Sequence, residues 1–206
     1  EDRAREEAAA AEALLAGAGG GDLPPLLGVP YTVKDLIDTA RVRTTYASAI
    51  LEHNVPKTDA TAVARMKAAG AVLVGKVSTP EFGHKPMNES PLFGRTVNPW
   101  DPARTSGGSS GGSGVALATG MVPLATGNDL GGSLRVPASF NGVVGLRPGP
   151  GRVPRGARLP AFDTLWVEGP MGRCVADVAL MLDGAAGHDP ADPLSFQHTG
   201  EGFVDA

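Results

Sequence analysis

The chain has one cysteine, Cys174, so no disulfide can form within it. Its stability must come from a packed core, which suits a reducing compartment, and a cytoplasmic location is expected. Cys174 opens the helix-like run CVADVALML and reads as a small residue packed near a helix start rather than as a nucleophile. No apolar run is long enough to cross a bilayer, and no segment has the layout of a signal peptide, so no membrane span is expected. Lys and Arg together number 18 against 22 Asp and Glu, and no dense basic stripe stands out from that balance, which argues against a nucleic-acid partner. The histidines are only four, and His53, His84, His188 and His198 lie far apart without an H-E-x-x-H pair. No metal site is therefore expected, and no histidine has a claim to a serine triad. A G-x-G-x-x-G fingerprint in a strand–turn–helix setting is also missing, so a dinucleotide cofactor has no support.

What remains is a globular composition. With 206 residues, 42% apolar and 19% charged, the chain can bury a core of its own. The first residues, acidic and Ala-rich, predict a helix over about Asp2–Leu15, in an N-terminal segment 1–20 that GAGGGDLPP breaks. Alternation of Val29, Tyr31 and Val33 predicts a strand running into a loop near Lys34 and Asp35. Thr58 and Asp59 offer a cap for a helix carrying Val63, Met66 and Ala69 on one face, and a short strand AVLVG follows. Thr79 to Trp100 reads as loop. Beyond it come a helix near Gly114–Thr119, a strand near Val122–Thr126, a helix from about Ser133, a strand Val143–Leu146, and a helix near Cys174–Asp183. Residues 187–206 read as an irregular tail. This alternation points to an α/β protein with a largely buried sheet.

The excess of glycine, 29 residues, is concentrated in a few places. GAVLVGKV, Gly70–Val77, nearly matches a phosphate-binding loop, but Val77 stands where Ser or Thr must reach a metal ion, and AVLV is a strand that cannot curl around phosphate. GGSSGGSG, Gly107–Gly114, would be a flexible linker anywhere else. Here it is short, lies between patterned segments and runs straight into VALATG, so it reads as a tight turn where backbone approaches something closely. GNDLGGSLR, Gly127–Arg135, is open to two readings. Ser133 is either the cap of a strand-to-helix turn or a nucleophile whose developing oxyanion is held by uncovered amides at a helix start. A serine needs a base before it can attack. Lys34, at the end of a largely apolar stretch, can serve if burial keeps it neutral, and a second serine can pass the proton.

GGSSGGSG…GNDLGGSLR resembles the amidase signature family of serine amidases. GVPYTVKDLID, ATAVARMKAAGAVLVGKVSTPEFG, NPWDPARTSGGSS and VVGLRPGPGRVP agree in order, and the likeness runs from about Leu26 to about Asp183. The resemblance implies Ser133 as nucleophile, Ser109 as a bridging serine on a cis peptide bond, and Lys34 as base. It implies an oxyanion hole from the amides of Leu130, Gly131, Gly132 and Ser133, with Ser110, Asp129 and Arg135 supporting the loops. For Asp129 and Arg135 a purely structural ion pair is the competing reading. Asn128 departs from the Thr or Ser common in the family, and Leu134 from Ile.

The resemblance also implies an α/β fold, a mixed central sheet flanked by helices, with residues 1–206 forming one amidase signature domain incomplete at its C-terminal end. Family members usually continue further, and their C-terminal part completes the sheet and the pocket. A second copy or that missing C-terminal half is then the expected protein partner. The expected activity is hydrolysis of a small-molecule amide without cofactor. A glutamine-dependent amidotransferase component working with partner subunits, and a non-catalytic fragment, are the alternatives.

Overall fold

The computed structural model describes residues 2–19, 21–157 and 160–206. In chain order the elements are α1 (Asp2–Gly17), β1 (Pro30–Lys34), α2 (Thr61–Ala68), β2 (Val72–Val77), β3 (Glu89–Ser90), β4 (Gly94–Arg95), α3 (Gly111–Ala118), β5 (Leu124–Asp129), α4 (Arg135–Asn141), β6 (Val144–Gly145), β7 (Val167–Gly172) and α5 (Val175–Ala185). The ends of the expected N-terminal segment, residues 1 and 20, lie outside the described residues.

The main sheet has the order β2-β1-β5-β7-β6. Strands β2, β1 and β5 run parallel, whereas β7 lies antiparallel to both β5 and β6. The sheet is mixed and flanked by helices, as the α/β resemblance implies. Buried Tyr31 and Val33 of β1 and Leu73 of β2 pack with Met66 of α2 and Met181 of α5 on one side. Leu117 of α3, Ala125 of β5, Ala138 of α4 and Met171 of β7 form a second cluster. Tyr31 through Lys34 are all buried, because both faces of β1 are covered.

The outer edge of β2 is met by α1, whose Glu7 carboxylate accepts the Leu73 N–H at 3.2 Å. A carboxylate on an edge amide takes up a group that would otherwise template another strand. Among the described residues no helix is long and apolar enough to cross a membrane.

Several local expectations are corrected. Helix α2 begins after Ala60, with no side-chain cap. Asp59 instead accepts the Ala40 N–H at 2.8 Å and pairs with Lys67 at 2.7 Å. Helix α3 starts at Gly111, so the end of the Gly/Ser loop is already helical. Strand β5 reaches Asp129, further than Thr126. Ser133 does not cap α4: Leu134 holds that position and no side-chain cap bond forms. Cys174 does sit at the start of α5, but it is exposed, not packed. The loop-rich stretch Thr79–Trp100 holds the small β3–β4 hairpin. The tail from 187 has no helix or strand, yet Asp192 is buried and its carboxylate accepts the Arg155 N–H at 2.8 Å.

Candidate active site

Two neighbouring parallel strands, β1 and β5, end side by side, and polar chemistry gathers at their carboxyl ends, the usual location for function in such sheets. Lys34 is the last residue of β1, and Asn128 and Asp129 close β5. The Lys34 N–H donates to Thr126 Oγ1 at 3.1 Å, fixing the strand end. Its side chain is fully buried, and Nζ lies 2.6 Å from Ser109 Oγ, 3.0 Å from Ser110 Oγ and 2.6 Å from Asn128 Oδ1. No carboxylate is among these partners. Burial drives the amine well below the ordinary lysine range, and the field of Asp129 opposes that shift without cancelling it.

The serines reach Lys34 because the Gly/Ser run packs tightly. The Gly108–Ser109 peptide is cis. Thr79 Oγ1 donates to the Ser109 carbonyl at 3.0 Å. A Cβ on Gly108 would come within 2.7 Å of the Lys85 carbonyl, and one on Gly112 within 2.6 Å of the Ser78 nitrogen. Glycine is required at both positions by close approach of backbone, as the turn reading anticipates.

Ser133 joins the group through its main chain, its carbonyl accepting the Ser110 N–H at 3.2 Å. Its half-buried hydroxyl makes no hydrogen bond among the described residues. Next to it, Asp129 organises the loop. The buried carboxylate accepts from Gly132 N at 2.6 Å and Leu134 N at 3.2 Å, and pairs with Arg135 Nε at 2.9 Å and Arg147 Nε at 3.5 Å. Burial alone would raise its pKa, but the hydrogen bonds from Arg135, Gly132 and Leu134 outweigh burial and hold it at about 2.

The fold thus brings Lys34, Ser109 and Ser110 into direct contact, ties Ser133 to Ser110, and joins Asp129 and Arg135 as an ion pair. Of the four amides expected to face an oxyanion, that of Gly132 is bound to Asp129, while those of Leu130, Gly131 and Ser133 donate no hydrogen bond among the described residues. Arg147, Thr79 and the acceptor role of Asn128 do not follow from the motifs. Asn128 stands out in the sequence only as a departure from the family pattern, and its polarity within a buried strand end is the available signal.

A cleft of about 380 Å³ is lined by Asp35, Arg43, Thr45, Lys76, Ser78 and Phe93, and by none of the residues gathered around Lys34. Lys76 donates to the Ile37 carbonyl at 2.5 Å and to Thr39 Oγ1 at 2.9 Å, and burial lowers it to about 8. Its place in strand β2 agrees with rejection of a phosphate loop there. Among the described residues no group of three or more His, Cys, Asp or Glu is arranged to hold a metal ion.

Known proteins share both sequence and shape with this chain. It is 49% identical over 195 residues to the A-type subunit of the glutamyl-tRNA(Gln) amidotransferase of Roseiflexus sp. (strain RS-1), covering 95% of this chain and 39% of that protein. A solved protein from a vestigial complex tied to the origins of an s-triazine catabolic enzyme superposes with a TM-score of 0.91 at 43% identity, over 99% of this chain and 44% of that one. 6-Aminohexanoate cyclic dimer hydrolase, solved with substrate, follows at a TM-score of 0.87 and 37% identity, over 99% and 41% of the two chains. The chain therefore spans about two fifths of the length of the curated relatives it matches. The family model described as Amidase matches residues 1–201, and the chain belongs to this family, the amidase signature enzymes.

Proposed function

We propose that this chain carries the catalytic core of an enzyme that hydrolyses a carboxylic amide to an acid plus an amine or ammonia, through an acyl-enzyme on Ser133. The observation that carries the reading is a buried lysine amine, without a carboxylate partner among the described residues, 2.6 Å from Ser109 Oγ and 3.0 Å from Ser110 Oγ, the serine whose N–H holds the Ser133 backbone.

In this mechanism Ser133 turns its hydroxyl onto Ser109, a side-chain rotation that leaves the Ser110–Ser133 backbone bond intact. Neutral Lys34 accepts the Ser109 proton as Ser109 takes that of Ser133. The Ser133 oxygen bonds to the amide carbon, and the carbonyl oxygen becomes an oxyanion facing the amides of Leu130, Gly131 and Ser133. The C–N bond breaks as the proton returns through Ser109 to the departing nitrogen. Water then adds to the ester, giving its proton to the same relay, and the C–O bond to Ser133 breaks as the relay returns that proton to the Ser133 oxygen. Gly132 shapes the loop instead of donating to the oxyanion, and Asp129 with Arg135 holds that loop.

A second reading is favoured by the 49% identity to an amidotransferase component: the same step would release ammonia from glutamine for a partner protein. Copurification of partner subunits and a requirement for glutamine would distinguish it from free-standing hydrolysis of other amides.

Labelling with a fluorophosphonate probe tests the shared chemistry. The wild-type chain should be labelled on one serine, and Ser133→Ala should lose the label while keeping its fold by circular dichroism. A folded wild type that takes no label, or a Ser133→Ala variant that still does, would overturn the reading.

A further inference from the structure

Lys34 Nζ has three oxygen neighbours, and they are chemically unequal. The Asn128 side-chain carbonyl, at 2.6 Å, can only accept. The Ser110 hydroxyl directs its own proton to the Asn128 main-chain carbonyl at 3.4 Å, so toward Lys34, at 3.0 Å, it offers a lone pair. Both neighbours therefore require an N–H from the lysine whether it is charged or neutral. Ser109, at 2.6 Å, is left as the neighbour that can change from acceptor to donor.

We propose that Asn128 is a positioning residue that fixes the direction of the Lys34–Ser109 hydrogen bond, so that the neutral amine turns its lone pair to Ser109 and nowhere else. An ammonium has three N–H donors for three acceptors. When it loses a proton, the proton lost is the one facing Ser109, because the other two remain engaged. The Ser109 hydroxyl then points at nitrogen, and its oxygen lone pairs become available to the next hydroxyl in the relay. A side chain at 128 that offers Nζ no acceptor would let the amine rotate and aim its lone pair elsewhere. The site of Asn128 suits this task. It is 3% exposed and near the end of β5, with Glu168 opposite it on β7, so solvent does not compete for the carbonyl. This inference rests on Lys34 being the base of the proposed reaction.

The test follows the lysine itself as well as the chemistry. Lys34 is observed by NMR in a chain carrying ¹³C at lysine Cε, with its signal assigned by its loss in Lys34→Met. It is titrated from about pH 5 to about pH 11, across the usual lysine value. Asn128→Asp should raise the midpoint by at least about one pH unit, since a carboxylate favours the ammonium, and the onset of fluorophosphonate labelling should rise with it. Asn128→Val should lower the midpoint, since the ammonium loses an acceptor. Its labelling rate well above the midpoint should nevertheless fall at least about tenfold, because the amine is neutral but misdirected. Asn128→Thr should recover part of that rate. Loss of stability alone would not move the two midpoints in opposite directions. If Asn128→Val fails to fold, the Asp and Thr variants decide. A Lys34 midpoint unmoved by these substitutions, or wild-type labelling in Asn128→Val above its midpoint, would overturn the proposal. The expected titrations in a chain that takes no label would support the assignment at Lys34 and sink the acyl-enzyme reading instead.

Discussion

The Gly132 amide donates to the Asp129 carboxylate at 2.6 Å. A short charge-assisted bond of this kind commits the amide to the carboxylate and shapes the turn. The turn that presents Ser133 is then organised around Asp129.

Asp129→Asn should destabilise the fold and slow Ser133 labelling, even though Ser133, Ser109 and Lys34 are untouched. The acid dependence has a definite sign. The folded-state pKa of Asp129, about 2, lies below the ordinary aspartate value of 3.8, so its stabilising contribution is complete above the latter and is lost as pH falls through the former. The gap between wild type and Asp129→Asn in urea unfolding should therefore narrow below about pH 4. A gap that stays constant from neutral to acid pH would remove Asp129 from this role.

Lys34 has linkage of the same sign in a higher pH window. Its folded-state pKa lies well below the ordinary lysine value of 10.5, so the folded chain binds fewer protons than the unfolded chain between those values, and stability rises with pH across that window. Lys34→Met removes this dependence. The stability of wild type relative to Lys34→Met should improve steadily toward alkaline pH in denaturant titrations, and labelling should be lost in the variant. A wild-type labelling rate that is flat from acid to alkaline pH would exclude a lysine base.

Ser109→Ala should slow turnover or labelling by about 10²–10⁴-fold, the range for loss of a general acid–base group, and Ser133→Ala should abolish it. Combining Ser109→Ala with Lys34→Ala should cost little more than either alone, because members of one relay are not additive. Additive losses in the double variant, measured by probe kinetics, would mean that the two act separately.

Gly127→Ala should be more harmful than its single methyl suggests. The new Cβ would come within 2.5 Å of Leu134 Cδ2 and 2.8 Å of Ser110 Oγ. Overpacking of this kind costs about 1–3 kcal/mol. It also presses on the serine that holds both Lys34 and the Ser133 carbonyl, so labelling should fall along with the melting temperature. Normal labelling in a stable variant would show that the contact relaxes elsewhere.

Much of this site is legible in the sequence because its motifs are local. VKD, GGSSGG and GNDLGGSLR each name a residue type whose chemistry is restrictive, and the fold brings Lys34 to Ser109 across 75 residues of sequence. What stays hidden depends on tertiary partners. VEGPMG carries Gly and Pro, which argue against a strand, yet it forms β7 because β5 pairs with it along its whole length. GGSG at the start of α3 has poor helix propensity, but Gly112 and Gly114 lie where a Cβ would strike Ser78 or Asn141, so packing overrides propensity. The division of the four loop amides is not readable from sequence at all, since only the position of the Asp129 carboxylate decides which is engaged.

The Ser133 turn is held at three points: the Gly132 and Leu134 amides on Asp129, and the Ser133 carbonyl on the Ser110 amide. Between those tethers Ser133 keeps one soft coordinate, the torsion of its own side chain. Ordering a single rotor is entropically cheap, and the backbone need not reorganise when a substrate arrives. Leu130 and Gly131, by contrast, are exposed at the rim of the turn. Side-chain identity at Leu130 can therefore change without disturbing the three tethers that hold the Ser133 backbone.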